Sequence, residues 1–95
     1  MNTIELIPDL SSCIETVTRR EYSEVTRKLL ETDNPDEELI KRAEILRLFL
    51  ENADFRKLRA ESERHLLKGQ KVKFVVRMEG KVLKYDMQVF WNRSA

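Results

Sequence analysis

Residues Lys71 to Trp91 read KVKFVVRMEGKVLKYDMQVFW, and the β part of the predicted fold follows from these residues. Apolar and polar residues alternate on both sides of a central Glu79-Gly80, which is the pattern of two antiparallel strands joined by a tight turn. We predict a β-hairpin with strands over 71–78 and 81–91. Because a lone hairpin is at best marginally stable in water, its apolar side must cover other parts of the protein.

The expected register of the hairpin follows from placing Glu79 and Gly80 at the centre of the turn. Three apolar pairs then share one side, namely Val72 with Met87, Phe74 with Tyr85, and Val76 with Leu83. The other side pairs Lys73 with Asp86. A slip of one residue would move the whole apolar set to the opposite side, so we expect one core side and one charged side.

Sequence patterns before the hairpin predict three helices. Apolar residues recur at helical spacing, and acidic residues crowd the start of the second helix, where they complement its dipole. Neither Pro nor Gly interrupts residues 36–68, so one long kinked helix is the alternative to two helices there. The predicted helices span 12–31, 35–51 and 54–68. Together with the hairpin packed on them, they form a single α+β domain over residues 1–95.

Residues at the predicted helix starts carry capping signals. Ser12 and Glu15 fit a capping box at the first helix, and a start nearer Pro8-Asp9 is the alternative. At the second, Asn34 can cap and Pro35 suits the first helical position. Asp54 is the expected cap of the third helix.

The composition is that of a globular domain, with 41% hydrophobic and 37% charged residues among 95. A single cysteine, Cys13, excludes an intramolecular disulfide framework. The chain shows neither a secretion signal nor an apolar run of about 20 residues, so we expect a cytoplasmic protein outside the membrane.

Residues that carry chemistry are too sparse to predict an enzyme. His65 is the single histidine, and Glu61 lies one helical turn before it, but two ligands do not make a metal site. Cys13 lacks a neighbouring base that would make it a nucleophile. The chain has two glycines and therefore no glycine-rich phosphate loop. We predict no catalytic activity, no metal, no cofactor and no small-molecule substrate.

Charge is divided along the chain, although the net charge is +1. Residues 1–55 carry seven basic and thirteen acidic side chains, whereas residues 56–84 carry ten basic and three acidic ones. The two halves either neutralise each other or leave a basic surface for phosphate or an acidic partner. The candidate contact residues are Arg56, Lys57, Arg59, Arg64, Lys71, Lys73, Arg77, Lys81 and Lys84.

The order of three helices and a hairpin, with basic residues on the last two elements, resembles that of winged-helix DNA-binding domains. The resemblance covers roughly the C-terminal two thirds of the chain and lies in topology and charge. It implies that the third helix, Phe55 to Lys68, acts as a recognition helix and that the tip from Arg77 to Lys81 acts as a wing. Binding of DNA or RNA is therefore one hypothesis for the function.

Surplus apolar residues give a different hypothesis, which we rank first. The second helix is apolar almost all round in its C-terminal half, and Phe90 falls on the polar side of the hairpin. Exposed edge strands are templates for pairing. We predict a protein-interaction module that is homodimeric through the second helix, the hairpin edge or both, with docking of the basic half on an acidic protein as a third hypothesis. The candidate interface residues are Ile45, Leu48, Phe49 and Phe90.

Overall fold

Three helices cover one face of a three-stranded antiparallel sheet in the computed structural model, which describes residues 3–91. The elements in chain order are β1 (Thr3–Leu6), α1 (Ile14–Glu31), α2 (Glu37–Asn52), α3 (Phe55–Leu66), β2 (Gln70–Glu79) and β3 (Val82–Trp91). The predicted α+β class, with three helices and a C-terminal hairpin packed on them, is confirmed. None of these helices, within the described residues, has the length and apolarity needed to cross a membrane.

Strand β1 is absent from the sequence-based prediction. It pairs with β2, which becomes the middle strand of the order β1-β2-β3. Its inward side chains, Ile4 and Leu6, are 1% and 2% exposed and lie opposite Val76 and Phe74. Four alternating residues are a weak local signal, and it is pairing with β2 that stabilises them as a strand.

The predicted register of the hairpin is wrong, because the central turn residues are Gly80 and Lys81. Glu79 pairs with Val82. Gly80 has a φ of +63°, and no non-glycine residue of the described chain has a positive φ. A two-residue turn with positive φ at its first position alone matches type II′, which favours glycine there. The core-side pairs are Val72 with Val89, Phe74 with Met87, and Val76 with Tyr85. Each β2 residue pairs with a β3 residue two positions beyond the predicted partner. Because a shift by two residues keeps side chains on the same face, the apolar residues still share one side.

Helices α2 and α3 are separate, which excludes one long kinked helix. The break lies at Ala53 and Asp54, whose backbone is extended, with ψ angles of 143° and 91°. Asp54 Oδ1 accepts a hydrogen bond from the backbone N–H of Lys57 at 3.3 Å, as predicted. Beyond α3, Gly69 has a φ of +83°, a left-handed conformation typical of helix ends.

The predicted caps of the first two helices are wrong. Before α1 it is Asp9 rather than Ser12 that organises the chain, because its carboxylate accepts hydrogen bonds from the backbone N–H groups of Ser11 and Ser12 at 2.8 and 2.7 Å. At α2, Asp36 rather than Asn34 accepts from the backbone N–H two residues on, at 3.2 Å. The Asp36 carboxylate thus caps α2, because it satisfies a backbone N–H group that has no partner within the helix.

The core lies between the helices and the inner face of the sheet. Its largest side chains are Phe49 of α2 and Phe74 of β2, both 0% exposed. Burial of such a side chain stabilises a fold by about 1.5 to 3 kcal/mol. The buried hydroxyls of Thr18 and Ser62 donate to backbone carbonyls of their own helices at 2.7 and 3.0 Å, so their burial leaves no free donor.

Candidate functional site

The outer face of the sheet, on the side away from the helices, carries a network of ion pairs. Arg77 on β2 lies at its centre, with Nη1 2.9 Å from Asp86 Oδ2 and Nη2 3.1 Å from Glu79 Oε1. Lys84 Nζ lies 3.7 Å from the other oxygen of Glu79. The hydrogen bonds that Arg77 donates, first to Asp86 and then to Glu79, raise its pKa. These cations are therefore largely neutralised by neighbours on the same face.

Lys73 pairs with β1 rather than with Asp86, its predicted partner. Its Nζ lies 3.4 Å from Glu5 Oε2 and 5.4 Å from the ring centroid of Phe90. The second contact is within the range of a cation–π interaction. Phe90, a predicted interface residue, is 45% exposed beneath this lysine.

A second set of cations lies on α3 and the turn after it. Those on α3 occupy the side that faces away from its buried residues, Leu58 and Ser62. Within residues 3–91 none of them forms an ion pair, whereas Arg59 beside them pairs with Glu63 at 2.7 Å. We call this exposed set the α3 stripe, and its members are Arg56, Lys57, Arg64 and Lys68.

The nine predicted contact residues do not form one surface. Helix α3 packs on the inner face of the sheet, so the α3 stripe points away from the sheet on one side of the molecule. The outer-face cations point to the opposite side, and Lys81 lies at the hairpin turn. The outer-face members are Lys71, Lys73, Arg77 and Lys84. The cations of the predicted recognition helix and those on the outer face of the sheet therefore point in different directions.

His65 and Cys13 are each held by a neighbour. His65 Nδ1 lies 2.9 Å from Gln70 Oε1. Cys13 Sγ lies 3.3 Å from the Thr16 hydroxyl, and this hydrogen bond is the main cause that lowers the pKa of the thiol. In the part of the chain that the structure describes, no three His, Cys, Asp or Glu residues are grouped to hold a metal ion.

Two of the four predicted interface residues lie in the core. Ile45 and Phe49 are 2% and 0% exposed, because the C-terminal half of α2 is covered by its neighbours in the same chain. This burial corrects their assignment as interface residues, since neither is available to a second copy. Leu48 is half-buried and remains next to an open groove.

Strand β3 is an open edge of the sheet. Among residues 3–91, no strand pairs with the side of β3 that faces away from β2. A groove of about 380 Å³ runs between this strand and the end of α2. Its lining consists of Leu48, Asn52, Lys81, Val82, Leu83 and Tyr85. Of these residues, only Leu48 and Lys81 are predicted contacts, because the sequence does not show that the end of α2 packs beside the start of β3.

The backbone groups that face the open edge follow from the turn. In a two-residue hairpin the residues that flank the turn, here Glu79 and Val82, form a hydrogen-bonded pair, and such pairs alternate along the ladder. The even-numbered residues of β3 therefore bond to β2. The odd-numbered ones point their N–H and C=O groups outward, and we call Leu83, Tyr85, Met87 and Val89 the free-edge residues.

A protein-family model matches residues 3–88, and the chain belongs to this uncharacterised family. The match runs from β1 into β3. No curated protein and no solved structure matches the chain significantly.

Proposed function

We propose that this family member is a small cytoplasmic protein-interaction module that forms a homodimer through the open edge of β3. The observation behind the proposal is a long, regular edge strand that has no bulge, no proline and no inward-facing charge. The proposal includes no catalytic step.

Edge strands of monomeric proteins are commonly short, interrupted by a bulge or proline, or protected by charged side chains, which β3 carries on its outward side alone. Strand β3 has ten residues, each paired one to one with a residue of β2, so no bulge interrupts it. It contains no proline, and none of its inward side chains is charged. Those side chains are Leu83, Tyr85, Met87, Val89 and Trp91. The opposite edge, β1, has four residues within the part of the chain that the structure describes.

Exposed apolar groups beside this edge favour a protein partner. Val82 is 57% exposed, Tyr85 36% and Trp91 73%. A partner strand placed along β3 would cover the groove while its backbone satisfies the free-edge N–H and C=O groups.

A second copy of the chain is a partner that fits this edge by symmetry. Two identical strands can pair antiparallel about a twofold axis and extend two sheets into one. The outward side of β3 also carries both charge signs, Lys84 and Asp86, two residues apart, so it is complementary to itself.

Substitution of Tyr85 tests this function. Tyr85→Leu and Tyr85→Lys both remove the aromatic contact with Phe49, but only the lysine places a charge at the edge. Sedimentation equilibrium should show dimers for the wild type and for Tyr85→Leu, and monomers for Tyr85→Lys. A monomeric wild type at high micromolar concentration, or equal association of the two variants, would contradict the proposal.

A second candidate function is binding of duplex nucleic acid through the α3 stripe. The observation in its favour is that the stripe residues form no ion pair within residues 3–91, whereas the cations at the centre of the outer face do. Exposed, unpaired cations spaced along a helix and the turn after it are suited to contact successive phosphates. This surface is separate from the β3 edge, so the two functions can be tested independently.

A further inference from the structure

We infer that the two β3 strands pair in one register, with the twofold axis at Tyr85 and with Lys84 of each copy opposite Asp86 of the other. The inference rests on the proposed homodimer and specifies how one copy recognises another.

Backbone direction removes half of the conceivable registers. Residues opposite each other in an antiparallel pair either both point their N–H and C=O groups at the partner strand or both point them away. The free-edge residues are odd-numbered, so each must meet an odd-numbered residue of the second copy. The axis therefore passes through a residue position and not between two positions.

Charge on the outward side separates the remaining registers. An axis at Lys84 would place two lysines directly opposite each other, and an axis at Asp86 would do the same with two aspartates. Both positions are non-hydrogen-bonded pairs in the new ladder, where side chains approach most closely and like charges destabilise. Axes at Leu83, or at Met87 and beyond, leave the charges without partners. An axis at Leu83 sets Lys84 opposite Val82, and an axis at Met87 sets Asp86 opposite Gln88.

An axis at Tyr85 satisfies both sides of the strand. On the outward side it forms two Lys84–Asp86 pairs, which would extend the network around Arg77, itself 2.9 Å from Asp86 in each copy. On the inward side it sets Leu83 opposite Met87 of the second copy and the two Tyr85 residues opposite each other. The groove lined by Leu83 and Tyr85 is thereby covered by side chains without charge.

Complementary charge reversal tests the register. Lys84→Glu sets two carboxylates opposite each other at both charge pairs, and Asp86→Lys sets two ammonium groups opposite each other there. Each variant alone should therefore dimerise about tenfold more weakly than the wild type or worse. An equimolar mixture of the two should recover association as a heterodimer with two opposite-charge pairs. Sedimentation equilibrium measures the strength of association, and native mass spectrometry identifies the heterodimer. Lys71→Glu, on β2 and away from the axis, is the control that should dimerise like the wild type and should not rescue either variant.

Failure of the register and failure of the dimer give different results. A monomeric wild type overturns the proposed homodimer and the register with it. A dimeric wild type whose variants associate normally, or whose mixture does not recover, overturns the register alone. A second measurement needs no variant. Unlabelled and heavy-nitrogen-labelled wild-type chains are mixed and treated with a carbodiimide, a zero-length cross-linker. The cross-link should join Lys84 of one chain to Asp86 of the other. Dimers that yield only other cross-links overturn the register as well.

Discussion

Tyr85 packs edge-on against Phe49, with the two ring centroids 5.1 Å apart and the ring planes at 65°. Phe49 lies in the core, whereas Tyr85 lies on the inner side of the open edge strand and is 36% exposed. Such edge-to-face contacts contribute about 0.5 to 1.5 kcal/mol beyond their buried area. Tyr85 therefore contacts the core and also lies in the proposed interface. A partner that covers Tyr85 would cover the groove beside α2 as well.

Replacement of Phe49 should destabilise the monomer. Phe49→Ala removes a fully buried ring that contacts both Tyr85 and Phe55, and we expect a loss of about 3 to 5 kcal/mol in the free energy of unfolding. Phe49→Leu, which keeps most of the volume, should cost less. Urea unfolding at low protein concentration measures both. If Phe49→Ala instead weakened association and left unfolding unchanged, the burial of this ring would be contradicted.

Gly80 should be the residue that fixes the turn. A Cβ built at this position meets no atom within 4 Å, so the cost of Gly80→Ala comes from its φ of +63° alone. We expect a loss of about 1 to 2 kcal/mol, and a smaller loss for Gly80→Asn, since asparagine tolerates this backbone better. Chemical unfolding of the two variants provides the measurement. Equal stability of Gly80→Ala and the wild type would contradict the turn assignment.

The sequence contains enough information for the three helices, the two hairpin strands and the sides of the hairpin, but neither for β1 nor for the exact pairing of the hairpin. The alternation in 71–91 identifies both strands and their core side, because that pattern survives any shift by two residues. It does not distinguish Glu79-Gly80 from Gly80-Lys81 as the turn. The positive φ of Gly80 at the first turn position makes that distinction, and it is a property of the folded backbone.

The candidate site was harder to predict because it depends on tertiary contacts. Strand β1 supplies Glu5, the partner of Lys73, from 68 residues away in the chain. On a helix that is apolar all round, the sequence pattern does not distinguish a core residue from an interface residue, and Phe49 is an example. The opposite directions of the α3 stripe and the outer face follow from how α3 packs on the sheet.

Acid should weaken the turn before α1. The hydrogen bonds that Asp9 accepts from the Ser11 side chain and from the backbone N–H groups of Ser12 and Ser11 hold its pKa below the ordinary value. A lowered pKa in the folded state stabilises the protein above the ordinary pKa, and this contribution is lost as pH falls through the folded value. Asp9→Asn should therefore flatten the acid limb of the melting temperature plotted against pH. An acid limb identical to that of the wild type would show that Asp9 contributes nothing.

The α3 stripe should bind duplex DNA in a salt-dependent manner. At about 50 mM salt, where phosphate contacts are strongest, fluorescence anisotropy should detect binding by the wild type. Substitution of Arg56, Lys57 and Arg64 by Gln should weaken binding to any sequence and lower the salt slope by about 2 to 3.

A matched control for this prediction lies on the other side of the molecule. Lys71→Gln with Lys73→Gln alters the outer face and should leave DNA binding unchanged. Absence of binding by the wild type would remove this candidate function. Loss of binding from the outer-face variant alone would move the site to that face.

Hydrogen exchange along β3 tests dimerisation through this edge, because it reports on the backbone groups that would join two copies. The amides of Leu83, Tyr85 and Met87 face the open edge, whereas those of Lys84 and Asp86 bond to β2. We predict that the first three exchange rapidly in dilute protein and become protected as concentration rises, while the other two are protected throughout. Rapid exchange of Leu83, Tyr85 and Met87 at every concentration would contradict dimerisation through the β3 edge.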